Sequence, residues 1–327
     1  MILVFSERTD LNTRQVLSYL NYYEEPFEVF LEDDFIELEY GIGPTCFDYE
    51  VYKNHQFVCT AHEIKSVWYR RTDIQVCRFG SGIFSQKSLE HYSREHIKTR
   101  SEQIRRCMHG QKCLGKFGFG NYNKAEFLEQ CTLLQIDVPK TLITGSKRKL
   151  RGFWEACGGK VITKSLAYPY EYAQSNAAGE IESYRLGYTL SVGESELDVL
   201  PDYFDLSIFQ EKLEKQFEIR TIYLDGKTFS QAIFSQSREE ALLDYRQGYD
   251  SGMRTCNYTL PEFVDKQVRK LMHTLDLNFG SLDIVVTTDR RYVFLEVNPN
   301  GQYGAVSVSA NANVDYEVAR FLMNQTA

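Results

Sequence analysis

The residues best suited to chemistry lie in one stretch near the carboxyl end of the chain, FGSLDIVVTTDRRYVFLEVNPNGQ at 279–302. Asp283, Glu296 and Asn298 offer two carboxylates and a carboxamide, which are hard oxygen ligands suited to Mg²⁺. An ion bound in this way keeps its other positions for water and for the phosphates of a nucleotide. The Asn-Pro-Asn-Gly turn ends the segment just beyond the last ligand. The stretch therefore indicates a magnesium-nucleotide site, and a hairpin with an acidic solvent face is the alternative.

These ligands can meet because LDIVV and YVFLEV are both predicted to be strands, joined by the polar turn TTDRR. With Asp289 and Arg290 as a two-residue turn, counting outward pairs Asp283 with Glu296 at about 5 Å. Asn298 follows on the same face, because side chains alternate along a strand. Asp-Arg is not a favoured two-residue turn. A longer turn about the same centre would keep the pairing, whereas a slip by one residue would turn the aspartate to the other face.

The composition is that of a globular protein with 327 residues, 43% of them hydrophobic, which is enough for two or three domains. A net charge of −8 disfavours non-specific binding to nucleic acid or to anionic membranes. No apolar run reaches membrane-spanning length. The eight cysteines form no C-x-x-C pair, so we expect reduced thiols and a cytoplasmic protein. His91 and His96 are five apart in a charged helical stretch, and this spacing places them on different faces rather than as a ligand pair.

The first third of the chain predicts a small α/β domain that ends near residue 110. MILVF as a strand, NTRQVLSYLNYY as a helix and EEPFEVFLEDD predict a β-α-β start. A hairpin-like stretch and the apolar strand IKSVWYRR follow. The segment 88–110 has mixed charge at helical spacing and is predicted to be a surface helix rather than a basic nucleic-acid helix.

The pattern changes at residue 123, where NKAEFLEQCTLLQI predicts a helix, followed by the strands TLITG and KVITKSL, the latter with Lys164 near its end. Asp225-Gly226 is the strongest hairpin signal in the chain, and counting from it pairs Arg220 with Gln231. Glu218 therefore shares a face with Arg220. A polar loop then leads to the helix VDKQVRKLMHTLDL and the metal-site hairpin, and VDYEVARFLMNQ is a closing amphipathic helix.

In this order the elements resemble the ATP-grasp family: a helix preceded by Asn-Lys, a strand with a second lysine, a glutamate-rich hinge, an E-x-R strand and D…E-x-N. The resemblance covers roughly residues 110 to 310. MILVFSERTDLNTRQVLSYLNYY, SVWYRR and EVNPNGQY are further similar to graspetide synthetases of the microviridin and grasp-with-spasm type. The resemblance implies an α+β protein with the ATP-grasp fold, consisting of an N-terminal α/β (pre-ATP-grasp) domain at 1–110, a central domain at 111–205 and a C-terminal domain at 206–327.

The resemblance also implies a role for each motif residue. Lys124 and Lys164 would contact the ATP phosphates or the adenine edge, and Glu218 would accept the ribose hydroxyls. Arg220, with Arg246 from the polar loop, would neutralise phosphate or acyl-phosphate oxygens, for which the planar fork of arginine is well suited. One or two Mg²⁺ ions would be held by Asp283, Glu296 and Asn298, and the hinge whose backbone reads adenine would be Gln210, Glu211, Lys212 and Leu213.

Ser281 departs from the family pattern, because many ATP-grasp ligases carry an arginine two residues before this aspartate. The resemblance then assigns more of the charge stabilisation to Arg220, or to Arg246 and Arg254 from the polar loop.

The function implied by the resemblance is ATP-dependent macrocyclisation of a ribosomally made precursor peptide with leader and core segments. Core Asp or Glu side chains would become acyl phosphates, and Thr or Ser would then form ω-esters or Lys ω-amides. The resemblance further suggests a homodimer and a leader dock on the central domain. The segment AYPYEYAQSNAAGEIESYRLGY at 167–188 has tyrosines and mixed charge suited to such a dock, and an ordinary polar hairpin is its alternative.

Two other functions stay open at this point. One is another ATP-grasp ligase, which would add an amino acid to a free acid or to a protein C-terminus. The other is a non-catalytic peptide-binding regulator that keeps the fold. A protein kinase is disfavoured, because the sequence has neither a G-x-G-x-x-G loop nor an H-R-D motif.

Overall fold

The computed structural model describes residues 1–41, 48–71, 98–108, 110–116, 123–166, 172–175, 181–185, 188–238, 241–246 and 252–325. In this part of the chain the strands form five sheets. His91 and His96 lie outside the described residues, as does most of the segment 167–188. None of the described helices has the length and hydropathy of a membrane span.

The N-terminal region is built on a parallel sheet of order β2-β1-β6-β7. One of its two inner strands, β1, is fully buried, as the apolar run MILVF predicts. A second, antiparallel sheet β3-β4-β5 follows from the hairpin-like stretch. The elements are β1 Ile2–Phe5, α1 Leu11–Tyr22, β2 Phe27–Phe30, β3 Ile36–Tyr40, β4 Tyr49–Lys53, β5 Gln56–Thr60, a 3₁₀ turn Ala61–Glu63, β6 Ser66–Tyr69, helix α2 within 98–108, and β7 Cys113–Leu114. The β-α-β start predicted from the sequence is confirmed.

The middle of the chain forms an antiparallel sheet of order β12-β9-β13-β8, with a separate two-stranded hairpin β10-β11. Its elements are α3 Lys124–Leu133, β8 Thr141–Ser146, α4 Lys147–Ala156, β9 Val161–Lys164, β10 Tyr172–Ser175, β11 Ile181–Arg185, β12 Leu190–Val192, α5 Glu194–Val199 and β13 Tyr203–Glu211. Asn123 caps the first of these helices by accepting the backbone N–H groups of Ala125 and Glu126. Helices α4 and α5 were not among the elements predicted from the sequence.

The last third forms a five-stranded antiparallel sheet of order β16-β15-β14-β17-β18, against which one long amphipathic helix packs. Its elements are β14 Lys215–Leu224, β15 Lys227–Ile233, a 3₁₀ turn Ser235–Ser237, β16 Thr255–Tyr258, α6 Glu262–Thr274, β17 Phe279–Thr287, β18 Tyr292–Asn298, α7 Gly304–Ser309 and α8 Val314–Leu322. The predicted Asp225-Gly226 turn and the pairing of Arg220 with Gln231 are both confirmed.

The two ends of the chain share one hydrophobic core. Val16 and Leu20 of α1 pack in the same buried cluster as Val318 and Leu322 of α8. The chain passes from the middle sheet to the last sheet between Glu211 and Lys215, so the predicted boundary at 205/206 falls inside β13. The domain limits at 110 and 205 stay a prediction.

Candidate active site

Asp283 and Glu296 are cross-strand partners on β17 and β18, as predicted, but the turn between these strands is not the predicted one. Thr287 donates its N–H to the carbonyl of Arg291, so the turn contains three residues and the pairing near it is shifted by one. A β-bulge at Leu295 absorbs the shift, because Ile284 pairs with Phe294 whereas the next residue, Asp283, pairs with Glu296. The prediction of the pair was correct, and the prediction of a two-residue turn was wrong.

The bulge also decides which side chains reach the site. Phe294 and Glu296 would share a face on a regular strand. In the structure Phe294 is fully buried in the core beneath the sheet, whereas Leu295 and Glu296 both line the cavity above it. Val297 packs in the core and also borders the cavity, and Asn298 lines the cavity. The extra residue therefore places a carboxylate in the cavity without removing an aromatic ring from the core.

Arg220 projects from β14 beside the acidic pair, directly opposite Asp283 on the neighbouring strand. Its Nη1 donates to both carboxylate oxygens, at 2.9 and 3.0 Å, and to the hydroxyl of Tyr245 at 3.0 Å. Its Nη2 donates to the backbone carbonyl of Gln302 at 3.2 Å. The guanidinium is thus held in one orientation at the edge of the site.

Two lysines approach Glu296, one from the start of helix α3 and one from the middle sheet. Lys124 begins helix α3, and its Nζ lies 3.6 Å from Glu296 Oε2 while donating to the carbonyl of Ser165 at 2.8 Å. Lys164 is the last residue of β9, and its Nζ lies 3.9 Å from the same oxygen. Both ammonium groups are largely buried, and both lie within 4 Å of the same carboxylate oxygen.

Burial and charge shift the pKa values of these groups in opposite directions. Burial raises the pKa of Asp283 to about 6, although Arg220 opposes the shift. Burial also disfavours the ionised form of Glu296, but Lys164 and Lys124 outweigh it and hold the pKa of that carboxyl below its ordinary value. Burial lowers the pKa of Lys164, which Glu296 partly offsets.

The predicted hinge joins β13 to β14 and borders the same cavity. Its backbone is held by the strands on both sides of β13: Glu211 donates its N–H to the carbonyl of Lys140, just before β8, and Lys212 donates to that of Lys160, just before β9. The side chain of Gln210 is turned to Thr141 at 3.0 Å. Glu218 is buried on the adjoining strand, and its Oε1 accepts from Ser235 at 2.8 Å and from Lys215 at 3.1 Å.

The loop 241–246 brings Arg246 to the site. Asp244, which is buried, accepts from the guanidinium of Arg246 through both of its oxygens. It also accepts from the backbone N–H and the hydroxyl of Thr189, both at 3.3 Å. Arg246 in turn lies over the ring of Tyr188, 6.0 Å from its centroid. The loop is therefore tied to the residues that precede β12.

A single cavity of about 1310 Å³ is lined by all twelve residues that the sequence assigned to the site. Two further positions named in the sequence analysis do not line the cavity. Arg254 is not among the lining residues and packs over the ring of Phe234 instead. Ser281 is buried beneath the turn at 298–301, where a Cβ on Gly301 would lie 2.3 Å from the Cβ of Ser281, and it is not among the residues that line the cavity.

Several lining residues were missed by the sequence reasoning. Tyr245 and Asp244 belong to the polar loop, where only arginines were considered. The N-terminal region contributes Thr9 from the loop after β1, Asn12 from the first turn of α1 and Arg71 from the carboxyl end of β6. The carboxyl ends of parallel strands are a frequent place for binding sites, and this signal could have drawn attention to them.

The donor groups of the site fit a magnesium ion. Asp283, Glu296 and Asn298 supply only oxygen, on neighbouring strand positions of one hairpin. Within the described residues no group of three or more His, Cys, Asp or Glu side chains could hold a metal, so the third ligand here would be the carboxamide.

Comparison with known proteins found no matching family model and no matching curated protein. Solved structures do match over the whole chain. The RiPP-associated ATP-grasp ligase of Chryseobacterium gregarium, in complex with ADP and a leader and core peptide, has a TM-score of 0.81 at 20% identity and covers 100% of this chain and 97% of its own. The chain has the ATP-grasp fold.

The macrocyclase MdnC of Microcystis aeruginosa, bound with precursor peptide MdnA, shares this fold with a TM-score of 0.75 at 22% identity and full coverage of both chains. The ATP-grasp ligase PsnB, in a complex with a precursor variant, Mg and ADP, has a TM-score of 0.67 at 17% identity, covering 100% of this chain and 98% of its own.

Within the ATP-grasp fold the site lies where the middle sheet faces the last sheet. Lys164 comes from the middle sheet, and Arg220, Asp283 and Glu296 come from the last sheet. Lys124 begins helix α3, which packs in the core of the last sheet. This likeness establishes the architecture, and the chemistry of the site rests on the residues described above.

Proposed function

We propose that this protein is an ADP-forming ligase that uses ATP and Mg²⁺ to macrocyclise a ribosomally made precursor peptide through ω-ester or ω-amide bonds. The observation that carries the proposal is the convergence, in one cavity, of all the residues needed for one nucleotide and its metal. The structures with the same fold that were solved with ADP, Mg and precursor peptides support it.

The nucleotide would lie between the two sheets. The hinge 210–213 would contact adenine through its backbone, and Glu218 would accept a ribose hydroxyl through the oxygen that does not bind Ser235 and Lys215. Lys124 and Lys164 would exchange Glu296 for the phosphates, which frees that carboxylate to bind the metal. The carboxylate and the two ammonium groups would thus exchange partners without any of these charges being buried alone.

The first chemical step would be attack by a core Asp or Glu carboxylate oxygen on the γ-phosphorus, which breaks the bond to the β,γ-bridging oxygen and releases ADP. Bound Mg²⁺ would screen the phosphate charges that repel the incoming carboxylate. Arg220, fixed by Asp283 and by the carbonyl of Gln302, would present its remaining N–H groups to the charge on the transferred group. Arg246 would stabilise the same charge from the opposite loop.

The first step would leave an acyl phosphate on the core Asp or Glu. In the second step a Thr or Ser hydroxyl, or a Lys amine, of the same peptide would attack the carbonyl carbon of this acyl phosphate. The carbon–oxygen bond to phosphate breaks, phosphate leaves, and the nucleophile loses its proton. The contribution of the protein would be to hold both groups together and to exclude water from the acyl phosphate. No covalent bond to the enzyme is needed, which agrees with the absence of a nucleophilic-elbow motif in the sequence.

The partner would be a precursor peptide with leader and core segments. The protein would act in the cytoplasm as a homodimer. The cavity is large enough for a nucleotide and a peptide side chain together, and Thr9, Asn12 and Arg71 extend it towards the N-terminal region. Neither nucleic acid nor a membrane would take part, in keeping with the charge of −8.

Mass spectrometry of candidate precursor peptides incubated with the protein, ATP and Mg²⁺ tests the proposal. We expect successive losses of one water, about 18 Da each, accompanied by ADP release. Glu296→Gln should abolish both, because it removes a metal ligand. Asp289→Asn is the matched control, since it changes an exposed acidic residue on the turn of the same hairpin and should leave both products.

Other outcomes would identify other functions. A gain in mass by one amino acid, with ADP release, would show a ligase that adds a residue. Binding of the peptide without any ATP consumption would show a non-catalytic regulator. Either result would contradict macrocyclisation.

A further inference from the structure

Arg70 is a buried arginine outside the cavity whose hydrogen bonds converge on the segment that follows the metal-site strand. It comes directly after β6 in the N-terminal sheet, and its side chain has no exposed surface. Its Nη1 donates to the backbone carbonyls of Asn300, at 2.8 Å, and Gly301, at 3.1 Å. Its Nη2 donates to Gln302 Oε1 at 3.0 Å. One guanidinium therefore binds three consecutive residues of the segment 298–302.

The orientation of Arg70 is itself fixed. Its Nε donates to Asp10 Oδ2 at 2.8 Å, and that carboxylate is also fully buried. The plane of the guanidinium lies over the ring of Tyr303, 5.2 Å from the centroid. Asp10 also accepts from the side chain of Gln302 at 3.4 Å. A buried charge pair with this many partners is rigid, because removal of any one of them leaves a charged group unsatisfied.

The segment held by Arg70 orients two groups of the site. The N–H of Asn300 donates to Asn298 Oδ1 at 3.0 Å, so the position of Asn300 determines where the carboxamide oxygen of Asn298 points. The carbonyl of Gln302 accepts from Arg220 Nη2 at 3.2 Å. Two contacts thus lead from Arg70 to a predicted metal ligand and to the arginine that binds Asp283.

We propose that Arg70 is a positioning residue through which the N-terminal sheet sets the geometry of Asn298 and Arg220, and hence the Mg²⁺ affinity of the nucleotide complex. This proposal rests on the proposed function, because it presupposes a magnesium nucleotide in the cavity. Lysine at position 70 would keep the charge, but it has no planar fork and cannot reach three acceptors in the same arrangement.

Calorimetric titration of the protein with ADP at a series of Mg²⁺ concentrations tests the proposal without relying on turnover. In Arg70→Lys we expect the Mg²⁺ concentration that half-maximally strengthens ADP binding to rise about tenfold or more, as is typical when a residue that orients a metal ligand is changed. ADP binding without Mg²⁺ should change much less. Hydrogen exchange should accelerate at the amides of Asn300 and Gly301 and stay unchanged in β14 and β17.

A merely structural role would give a different result. Lys53→Met is the matched control, since it breaks a half-buried ion pair with Glu28 and Asp34 in the same N-terminal region. It should lower stability but leave the Mg²⁺ dependence of ADP binding as in the wild type. If Arg70→Lys behaves like this control, the proposal is wrong.

If Arg70→Lys does not fold, Gln302→Leu provides the test instead. The side chain of Gln302 is exposed, and its replacement removes one acceptor of Arg70 without burying a charge. We expect the same shift in Mg²⁺ dependence, smaller in size, and an unchanged dependence would overturn the proposal. Failure of the wild-type protein to bind ADP at any Mg²⁺ concentration would instead contradict the proposed function.

Discussion

Arg220 and Asp283 face each other on adjacent strands, and one guanidinium nitrogen donates to both carboxylate oxygens. This pair places a cation at the side of a predicted metal ligand. It also opposes the rise in the pKa of Asp283, to about 6, that burial causes. The aspartate can therefore bind a metal as a carboxylate near neutral pH.

We expect Arg220→Lys to reduce precursor-dependent ATP turnover by at least about tenfold, because an ammonium cannot bind Asp283, Tyr245 and the carbonyl of Gln302 at once. Steady-state ADP release measures this. Arg254→Lys is the control, since that side chain packs on Phe234 and does not line the cavity. Equal losses in the two variants would contradict a specific role for Arg220.

Lys164→Met should weaken ATP binding by about tenfold or more, because it removes a largely buried cation from the proposed phosphate site. Dissociation constants for ADP and for a non-hydrolysable ATP analogue, measured by calorimetry, should both rise, with the larger increase for the triphosphate. Lys160→Met changes an exposed lysine just before the same strand, paired with Glu214, and should leave both constants unchanged. An unaltered affinity in Lys164→Met would place the phosphates elsewhere.

The buried Asp10–Arg70 pair should make stability depend on pH in acid. Burial alone would raise the pKa of Asp10, but Arg70 and Thr13 outweigh it and hold this pKa below its ordinary value of 3.8. A depressed folded-state pKa contributes stability that is present above 3.8 and is lost as the pH falls through the folded-state value. Asp10→Asn should therefore cost about 3–5 kcal/mol at pH 7, and the difference from wild type should shrink below pH 3.8.

Urea unfolding at several pH values measures this difference. Asp33→Asn removes an exposed partner of Arg8 and should cost less than about 1 kcal/mol at every pH. A cost for Asp10→Asn that stays constant down to pH 3 would show that charge pairing is not its cause.

Ser281→Arg should not restore the arginine that many ATP-grasp ligases carry at this position. A Cβ on Gly301 would lie 2.3 Å from the Cβ of Ser281, so a guanidinium there would have to displace the segment that orients Asn298. We expect a loss of about 3 kcal/mol or more in the free energy of unfolding, together with a loss of turnover. Ser281→Ala is the control and should be nearly neutral, because the hydroxyl has no hydrogen-bond partner among the described residues. A gain of activity in Ser281→Arg would contradict this account.

Much of the site could be predicted from the sequence because the signals involved are local. Asp225-Gly226 fixed the register of β14 and β15, and strand alternation then placed Glu218 and Arg220 on one face. Twelve residues in all were assigned to one site, most of them only through the resemblance to the ATP-grasp family, and all twelve line the same cavity. Their individual roles stay predictions that the variants above can test.

The metal-site hairpin shows where local reasoning stops. The two-residue turn was wrong, and the pairing of Asp283 with Glu296 survived only because the bulge at Leu295 compensates for the longer turn. A bulge has no reliable signature in one sequence, since it forms where packing favours it. Here Phe294 packs in the core, whereas Glu296 lines the cavity on the other face of the sheet. These two environments exist only once the sheet has packed on α6.

By itself the sequence determined the strands and helices near the site, the chemistry of its ligands and the faces on which most of them lie, because period, turn residues and donor type are properties of neighbouring residues. The tertiary structure decided which distant segments meet. It brought Lys124 and Lys164 to Glu296, and it placed Arg70 of the N-terminal sheet on the segment after the metal-site strand. These contacts join residues more than a hundred positions apart, and they form because the elements must bury their apolar faces against each other.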